Sequence, residues 1–285
     1  VGSEMCIRDR IFGKWCPVSS DFEAANFPVG FEGGNSGVCP SQNLAEAFDM
    51  ATGEPFDWND ESMRSRMFIA SARDPRFART LIYNGATFKG QPVQSYVGGR
   101  NGRPLDGATP TSYYLRKHIV EATSFVTGSE MSYQHIFPFF RYAEVLLNYA
   151  EALAAATQNP DFTGMKGEVE YTLSPREALN AVRARYNMPG ITETDYAAFV
   201  KRLRNERRVE LAFEGHRFWD IRRWKIGAET TKVYGLTITP QNDGSFSYMR
   251  SVIQQRGWED RMNFYPIADA ELFKNHNLVQ NDGWK

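Results

Sequence analysis

A helical pattern in residues 138–226 constrains the fold of this chain more than any other feature. Leu146, Tyr149 and Leu153 recur at spacings of three and four residues, which places them on one side of an α-helix. The run after Pro138, FFRYAEVLLNYAEALAAA, is apolar on more than one side. The sequence therefore predicts a helix that begins at Pro138 and lies buried between other helices.

Two further helices are predicted after this one. Ser174 has the features of an N-cap, Pro175 suits the first helical turn, and Glu177 completes a capping box. The third helix is predicted to begin near Thr192 and to direct Phe199 inward. Helix pairs with short connections are typical of TPR-like arrays, so we expect a mainly α-helical, TPR-like scaffold, although no repeat of about 34 residues stands out.

Residues 11–112 have a different composition. They are rich in Gly, Pro, Asn and Asp, with short apolar pieces between turn signals such as the GGRNG run at 98–102. Such a pattern predicts loops and a few short strands, with one short helix at Gln42–Met50. Residues 227–285 have a similar composition and are predicted to form loops.

These differences divide the chain into three parts. Residues 1–10, VGSEMCIRDR, show no periodic pattern and no link to the rest of the chain, so we expect a non-native or artefactual segment. Residues 11–137 are expected to form a loop-rich, ligand-binding lobe, and residues 138–285 a helical region.

The charge balance and hydropathy exclude two classes of function. The 33 basic and 34 acidic side chains nearly cancel, so little electrostatic driving force exists for binding a nucleic acid. No run of about 18 apolar residues occurs, so a transmembrane helix is not expected.

The cysteines and histidines indicate no metal site. Cys16 and Cys39 match neither a CxxC motif nor a spacing with paired histidines, and their pairing in a disulfide is left open by sequence alone. The four histidines are scattered and match no metal-binding spacing. They are His118, His135, His216 and His276.

Six segments of the chain carry recognisable motifs: DPRF at 74–77, YYLRK at 113–117, RYAEVLLNYAEA at 141–152, RNERRVELAFEGHRFWDIRRW at 204–224, YPI at 265–267 and NLVQN at 277–281. Together these segments resemble the SusD/RagB family. The matching segments occur in the order of the family over roughly residues 40–285, which makes chance agreement a poor explanation.

This resemblance implies a fold, a location and partners. It implies a SusD-like fold, in which a helical scaffold packs against a loop-rich lobe, here truncated at its N-terminus. It implies a lipoprotein on the extracellular face of the outer membrane, attached through a lipid anchor that lies outside this chain. Such a protein partners a SusC-like TonB-dependent transporter and delivers oligosaccharides or polysaccharides to it. No cofactor is implied, and a structural calcium ion in an Asp- and Asn-rich loop would be compatible with this role.

Sugar binding requires aromatic side chains beside planar polar groups. A sugar ring has an apolar C–H side that packs on an aromatic ring, and a rim of hydroxyls that bonds Asn, Gln, Asp or Arg. The resemblance implies that such contacts lie in loops ahead of the C-terminal helices. Our candidate ligand-binding residues are, in order, Trp58, Phe31, Asn35, Trp15 and Asn101.

The arginine-rich segment Arg204–Arg223 has two interpretations. Glu206, Glu210 and His216 could form a catalytic cluster, or the arginines an anion site. Alternatively, ion pairs at helical spacing, such as Glu206 with Arg202, orient the helix against its neighbours. We favour the ion pairs, because buried Arg–carboxylate networks commonly set geometry without performing chemistry.

Catalysis is not predicted. No GxSxG elbow or Walker-type glycine loop occurs. Asp57, Asp60 and Glu61, beside Trp58, are the best candidates for the paired carboxylates of a glycoside hydrolase, but nothing distinguishes them from a solvated acidic loop. The alternative non-enzymatic function is peptide or protein binding by a TPR-like helical groove, which predicts a ligand surface on the helices of residues 139–213.

Overall fold

The computed structural model describes residues 9–284. Within this range the chain forms nine α-helices, ten β-strands and three short 3₁₀ helices. The α-helices are α1 (Asp21–Asn26), α2 (Gln42–Ala45), α3 (Glu61–Ser65), α4 (Pro75–Thr80), α5 (Tyr142–Thr157), α6 (Pro175–Ala184), α7 (Tyr196–Glu210), α8 (His216–Arg223) and α9 (Asp269–Lys274). The 3₁₀ helices are Ala70–Ala72, Gly227–Thr230 and Asp260–Asn263.

The strands pair as five antiparallel, two-stranded ribbons: β1 with β6, β2 with β5, β3 with β4, β7 with β8, and β9 with β10. Their bounds are β1 (Arg10–Ser19), β2 (Leu81–Ile82), β3 (Thr87–Phe88), β4 (Gln91–Pro92), β5 (Tyr114–Leu115), β6 (Tyr133–Arg141), β7 (Gly164–Lys166), β8 (Val169–Tyr171), β9 (Lys232–Pro240) and β10 (Phe246–Gln255).

The first of two buried clusters joins α5, α6 and α7. Leu147, Leu179 and Leu203 are each fully buried in it, as expected for apolar positions that recur with the period of a helix. The predicted capping box of α6 is present: Ser174 accepts a bond from Glu177 N, and Glu177 accepts one from Ser174 N at 2.8 Å. The three predicted helices are therefore confirmed.

Two of the predicted helix starts are wrong. Pro138 lies within β6, which pairs with β1, so α5 begins only at Tyr142. Proline is tolerated in a two-stranded ribbon because each strand has an open edge, where no partner strand needs a hydrogen bond from the proline nitrogen. The aromatic neighbours of Pro138 also favour an extended chain. The third helix, α7, begins at Tyr196 rather than near Thr192, because the Asp195 side chain caps it by accepting a bond from Ala198 N at 2.8 Å.

The second buried cluster fills the loop-rich lobe. Phe27, Phe48, Phe77 and Phe88 form its aromatic centre, surrounded by short helices and strands as the sequence predicts. The predicted helix at Gln42–Met50 is shorter than expected, since α2 ends after one turn.

The prediction of loops throughout residues 227–285 is wrong. Strands β9 and β10 form a long hairpin whose Leu236 and Ile238 are fully buried in the lobe core. These residues alternate with Thr237 and Thr239, which is the period of a half-buried strand, and Gly244 supplies a positive φ of 83° at the turn.

Asp9 and Arg10 are part of the fold. An Asp9 carboxylate oxygen accepts a hydrogen bond from Nη1 of Arg141 at 3.0 Å, and Arg10 is the first residue of β1. The expectation that residues 1–10 are unconnected to the rest of the chain therefore does not hold for these two. Residues 1–8 lie outside the described part of the chain.

A buried ionic network connects the lobe to the helices. Arg76 of α4 donates to Glu206 and Glu210 of α7. Arg141, at the end of β6, also donates to Glu210, and Arg183 of α6 donates to Glu206 at 2.8 Å. All five side chains are almost completely buried.

The network confirms a structural role for the charges of α7, but with different partners from those expected. The sequence suggests pairs within one helix, such as Arg202 with Glu206. Instead Arg202 donates to Asp49 at 2.9 Å, and Arg207 donates to Asp220 on the next helix, α8. Long-range pairing allows α7 to orient several elements at once.

The α5–α7 cluster gives a direct test of stability. Leu147→Ala is expected to lower the free energy of unfolding by about 2–5 kcal/mol, because it removes a fully buried side chain and leaves a cavity. Leu278→Ala, at a leucine that is 39% exposed, is expected to change it by less than about 1 kcal/mol. Chemical denaturation measures both, and equal effects would contradict the assignment of this core.

Candidate glycan-binding surface

Phe31 lies at the edge of the lobe, in the loop between α1 and α2. One side of its half-buried ring meets Phe88 edge-on, with ring centroids 5.0 Å apart. The guanidinium of exposed Arg100 lies 5.5 Å from its centroid and donates to Gln91 Oε1 at 2.6 Å. An aromatic ring, a guanidinium over it and an amide bonded to that guanidinium thus lie close together, and these are the kinds of group that bind sugar rings and hydroxyls.

The buried side chain of Asn101 joins the two loops that form this surface. It is fully buried: its Oδ1 accepts a bond from Gln94 N at 3.0 Å, and its Nδ2 donates to Val29 O at 2.8 Å. Gly30 allows the two loops to meet, because a Cβ there would lie 2.3 Å from the Arg100 carbonyl oxygen. The predicted ligand contact by Asn101 is therefore wrong; its side chain holds the Phe31 and Arg100 loops together.

The other predicted ligand residues lie on three different segments. Asn35 is exposed in the same loop as Phe31, and its Nδ2 donates to Ala24 O at 2.9 Å. Trp58 is half-buried against the lobe core with Arg64 5.9 Å from its ring, and no ring contact or hydrogen bond within residues 9–284 joins it to Phe31.

Trp15 occupies an element that the sequence did not predict. It is 60% exposed on strand β1, where Ile136 of β6 is its partner, and the guanidinium of Arg10 lies 5.3 Å from its ring. A strand rather than a loop presents this ring, because β1 pairs along its length with β6.

The acidic residues beside Trp58 have local structural roles. Asp60 caps α3 by accepting a bond from Met63 N at 3.1 Å, and Asp57 accepts one from Asn59 N at 2.9 Å. Glu61 lies in the first turn of α3, where a negative charge favours the helix. These local contacts account for the positions of the three carboxylates without assigning them a catalytic role.

The carboxylate of Glu210 on α7 is unsuited to proton transfer near neutral pH. Burial by itself would raise the pKa of Glu210, but the positive charges of Arg76, Arg141 and Lys117 outweigh burial and lower this pKa to about 2. A carboxylate that remains ionised throughout the neutral range is a poor general acid or base. The electrostatics therefore match a structural network.

The histidines and cysteines form no recognisable metal centre in the described residues, where no group of three or more His, Cys, Asp or Glu side chains is arranged to hold a metal. His135 Nε2 lies 3.1 Å from Glu23, and His216 Nε2 lies 3.7 Å from Glu144. Cys16 and Cys39 are free thiols, so they do not form a disulfide with each other.

Sequence reasoning missed an exposed aromatic cluster on α8. Phe218, Trp219 and Tyr265 have ring centroids 5.1–6.0 Å apart, and the Arg222 guanidinium lies 3.6 Å from the Phe218 centroid. The sequence does contain a signal for this cluster, because HRFWDIRR places two adjacent aromatic residues in a mostly charged helix. Adjacent residues point in different directions from a helix, so one side of the helix cannot bury both rings. A purely structural interpretation of the arginine-rich segment does not account for these rings.

No helix within residues 9–284 has the length and apolar character needed to cross a membrane.

Comparison with known proteins defines the class. The SusD family model matches residues 18–284, so this chain belongs to the SusD family. It is 33% identical over 146 residues to SusD-like protein P2 of Formosa agariphila, covering 50% of this chain and 24% of that protein.

Two solved structures show the same fold. A SusD-like protein of Bacteroides fragilis NCTC 9343 superposes with a TM-score of 0.75 and 27% identity, covering 97% of this chain and 55% of that one. A second protein of that strain, described as a SusD-like carbohydrate binding protein, gives a TM-score of 0.70 and 28% identity, covering 95% and 54%. The SusD-like fold is confirmed, and this chain spans about half the length of these two structures.

The pKa of Glu210 generates a prediction about acid stability. Its folded pKa of about 2 lies below the ordinary value of 4.5, so the unfolded chain takes up the proton first as the pH falls. The stability contributed by Glu210 is present above pH 4.5 and is expected to be lost between pH 4.5 and about 2. Denaturation at a series of pH values measures this loss.

Glu210→Gln is expected to lower the free energy of unfolding at neutral pH by about 3–5 kcal/mol, because it removes a buried negative charge that pairs with both Arg76 and Arg141. It should also flatten the acid dependence. The control Glu271→Gln, in an exposed pair with Lys274, should cost less than about 1 kcal/mol. An unchanged acid dependence in Glu210→Gln would contradict the proposed electrostatics.

Proposed function

We propose that this chain binds oligosaccharides or polysaccharides at the cell surface without cleaving them. The main observation is the arrangement of Phe31, Arg100 and Gln91, in which a guanidinium lies over an aromatic ring and donates to a neighbouring amide. Membership of the SusD family, in which a solved relative is described as carbohydrate binding, supports the same ligand class. The sugar packs on the ring of Phe31, and its hydroxyls bond the polar groups.

Asn35, Trp58 and Trp15 are retained as candidate contacts. Asn35 lies four residues after Phe31 and is exposed, so it extends the same surface. Trp58 and Trp15 lie on other segments, where a long polysaccharide chain would reach them as separate platforms. Such a chain would contact several aromatic rings at once, and this mode of binding requires no catalytic group.

We further propose that the bound glycan is passed to a SusC-like TonB-dependent transporter. Resemblance to the SusD family supports this step and a position on the extracellular face of the outer membrane, held there by a lipid anchor. The helices α5–α7 then act as a TPR-like scaffold that supports the lobe. The network around Glu206 and Glu210 supports a rigid connection between scaffold and lobe.

The role of Phe31 is directly testable. Phe31→Ala is expected to weaken polysaccharide binding at least about tenfold, equivalent to about 1.4 kcal/mol, because it removes the apolar platform. Arg100→Ala should weaken binding as well, without removing a core contact. Affinity electrophoresis and calorimetry against plant, host and microbial polysaccharides measure these effects.

The matched control for this experiment is Phe273→Ala, which removes an aromatic ring that is 78% exposed on α9. It should bind as the parent protein does, and circular dichroism should show all three variants folded. Unchanged binding by both site variants would contradict this surface. Binding of peptides but no polysaccharide would favour the helical-groove alternative, and release of free sugar would overturn a non-enzymatic role.

A further inference from the structure

A cleft of about 920 Å³ opens on the lobe, away from the residues predicted to bind glycan. It lies between the start of α4, the loop after β5 and the segment directly after α6. Its volume is within the range of about 300–1,000 Å³ that is typical of ligand clefts. Its charged and polar lining includes Arg73, Arg79, Arg116, Lys117, His118 and Glu121.

The lining carries a local excess of positive charge. Glu121 is paired with Arg116 at 2.6 Å, and Lys117 is paired with Glu214. Arg79 is exposed on α4 and has no hydrogen bond or ion pair within residues 9–284. It is therefore available to a ligand.

Arg73 adds a second positive charge that no carboxylate contacts directly. Its guanidinium is buried between the rings of Phe56 and Phe77, each 4.5 Å away, and donates only to main-chain carbonyl oxygens. Burial lowers the pKa of Arg73 to about 10, so it stays protonated at neutral pH. In a partly enclosed cleft such a charge attracts anions even without touching them.

His118 leaves a polar atom free at the same cleft. Its Nε2 is buried without a hydrogen-bond partner among the described residues. Burial lowers the pKa of His118 to about 4, so the ring is neutral near pH 7 and offers one N–H donor and one acceptor. A buried polar atom without a partner at a cleft wall is a candidate ligand contact.

We infer that this cleft binds an acidic group of the glycan, either the carboxylate of a uronic acid or a sulfate ester. Arg79 makes a bidentate contact with the anionic oxygens, while Arg73 supplies further positive potential. His118 forms part of the cleft wall beside the bound sugar residue. This inference rests on the proposed glycan-binding function and narrows its ligand to acidic saccharides.

The test compares binding of three sets of probes to the purified protein by calorimetry. The sets are oligogalacturonides, sulfated carrageenan oligosaccharides, and uncharged malto- and cello-oligosaccharides. We expect one acidic set to bind more tightly than the uncharged set, and Arg79→Gln to weaken that binding about tenfold, since a charge-assisted bidentate contact is lost. The better-bound acidic set identifies the carboxylate or the sulfate as the ligand group.

Two further variants separate the site from general charge effects. Arg256→Gln removes the same charge from an exposed arginine outside the cleft and should bind as the parent protein does. Arg79→Lys keeps the charge but loses the fork of donors, so it should have intermediate affinity.

The outcomes distinguish this inference from the proposed function. If Phe31→Ala weakens binding but Arg79→Gln does not, or if uncharged probes bind as tightly as acidic ones, the acidic subsite is overturned and glycan binding stands. If no saccharide binds, both proposals are overturned. Equal losses in Arg79→Gln and Arg256→Gln would show a general charge effect and also overturn the subsite.

Discussion

The buried carboxylates of α7 hold the lobe and the helices together through ion pairs. Glu206 and Glu210 are bound by Arg76, Arg141 and Arg183, which come from three different elements. Removing these charges from water is costly, and the pairs recover that cost only when every hydrogen bond has good geometry. The network therefore selects one arrangement of α4, α6 and β6 around α7.

That arrangement determines where the lobe can present a ligand surface. Arg76 fixes α4, which leads directly into β2 and the aromatic core beneath the Phe31 ring. Within the lobe, Asn101 joins two loops by bonds that water cannot reach. Binding groups on loops thus gain the precision of a rigid scaffold, which open carbohydrate surfaces require because each contact is weak.

Sequence patterns were sufficient where a local rule dominated. The period of Leu146, Tyr149 and Leu153 and the capping box at Ser174 each specify structure within a few residues. They were insufficient where partners lie far apart in the chain. A helix start at Pro138 is a wrong prediction because the strand partner of this residue, β1, is more than a hundred residues away. A ligand contact by Asn101 is wrong because the loop that buries it, around Val29, is also remote in sequence.

Patterns in the sequence indicate the family, the three central helices, the aromatic and polar character of the lobe, and a structural role for the arginine-rich segment. These depend on periodicity, capping and residue chemistry, which act over a few residues or one helix turn. Three features emerge only from the folded chain: which aromatic ring meets which polar group, the link that Asn101 makes between two loops, and the cleft that Arg79 and His118 share. Burial and charge pairing decide such questions, because both depend on contacts between segments that the linear sequence does not bring together.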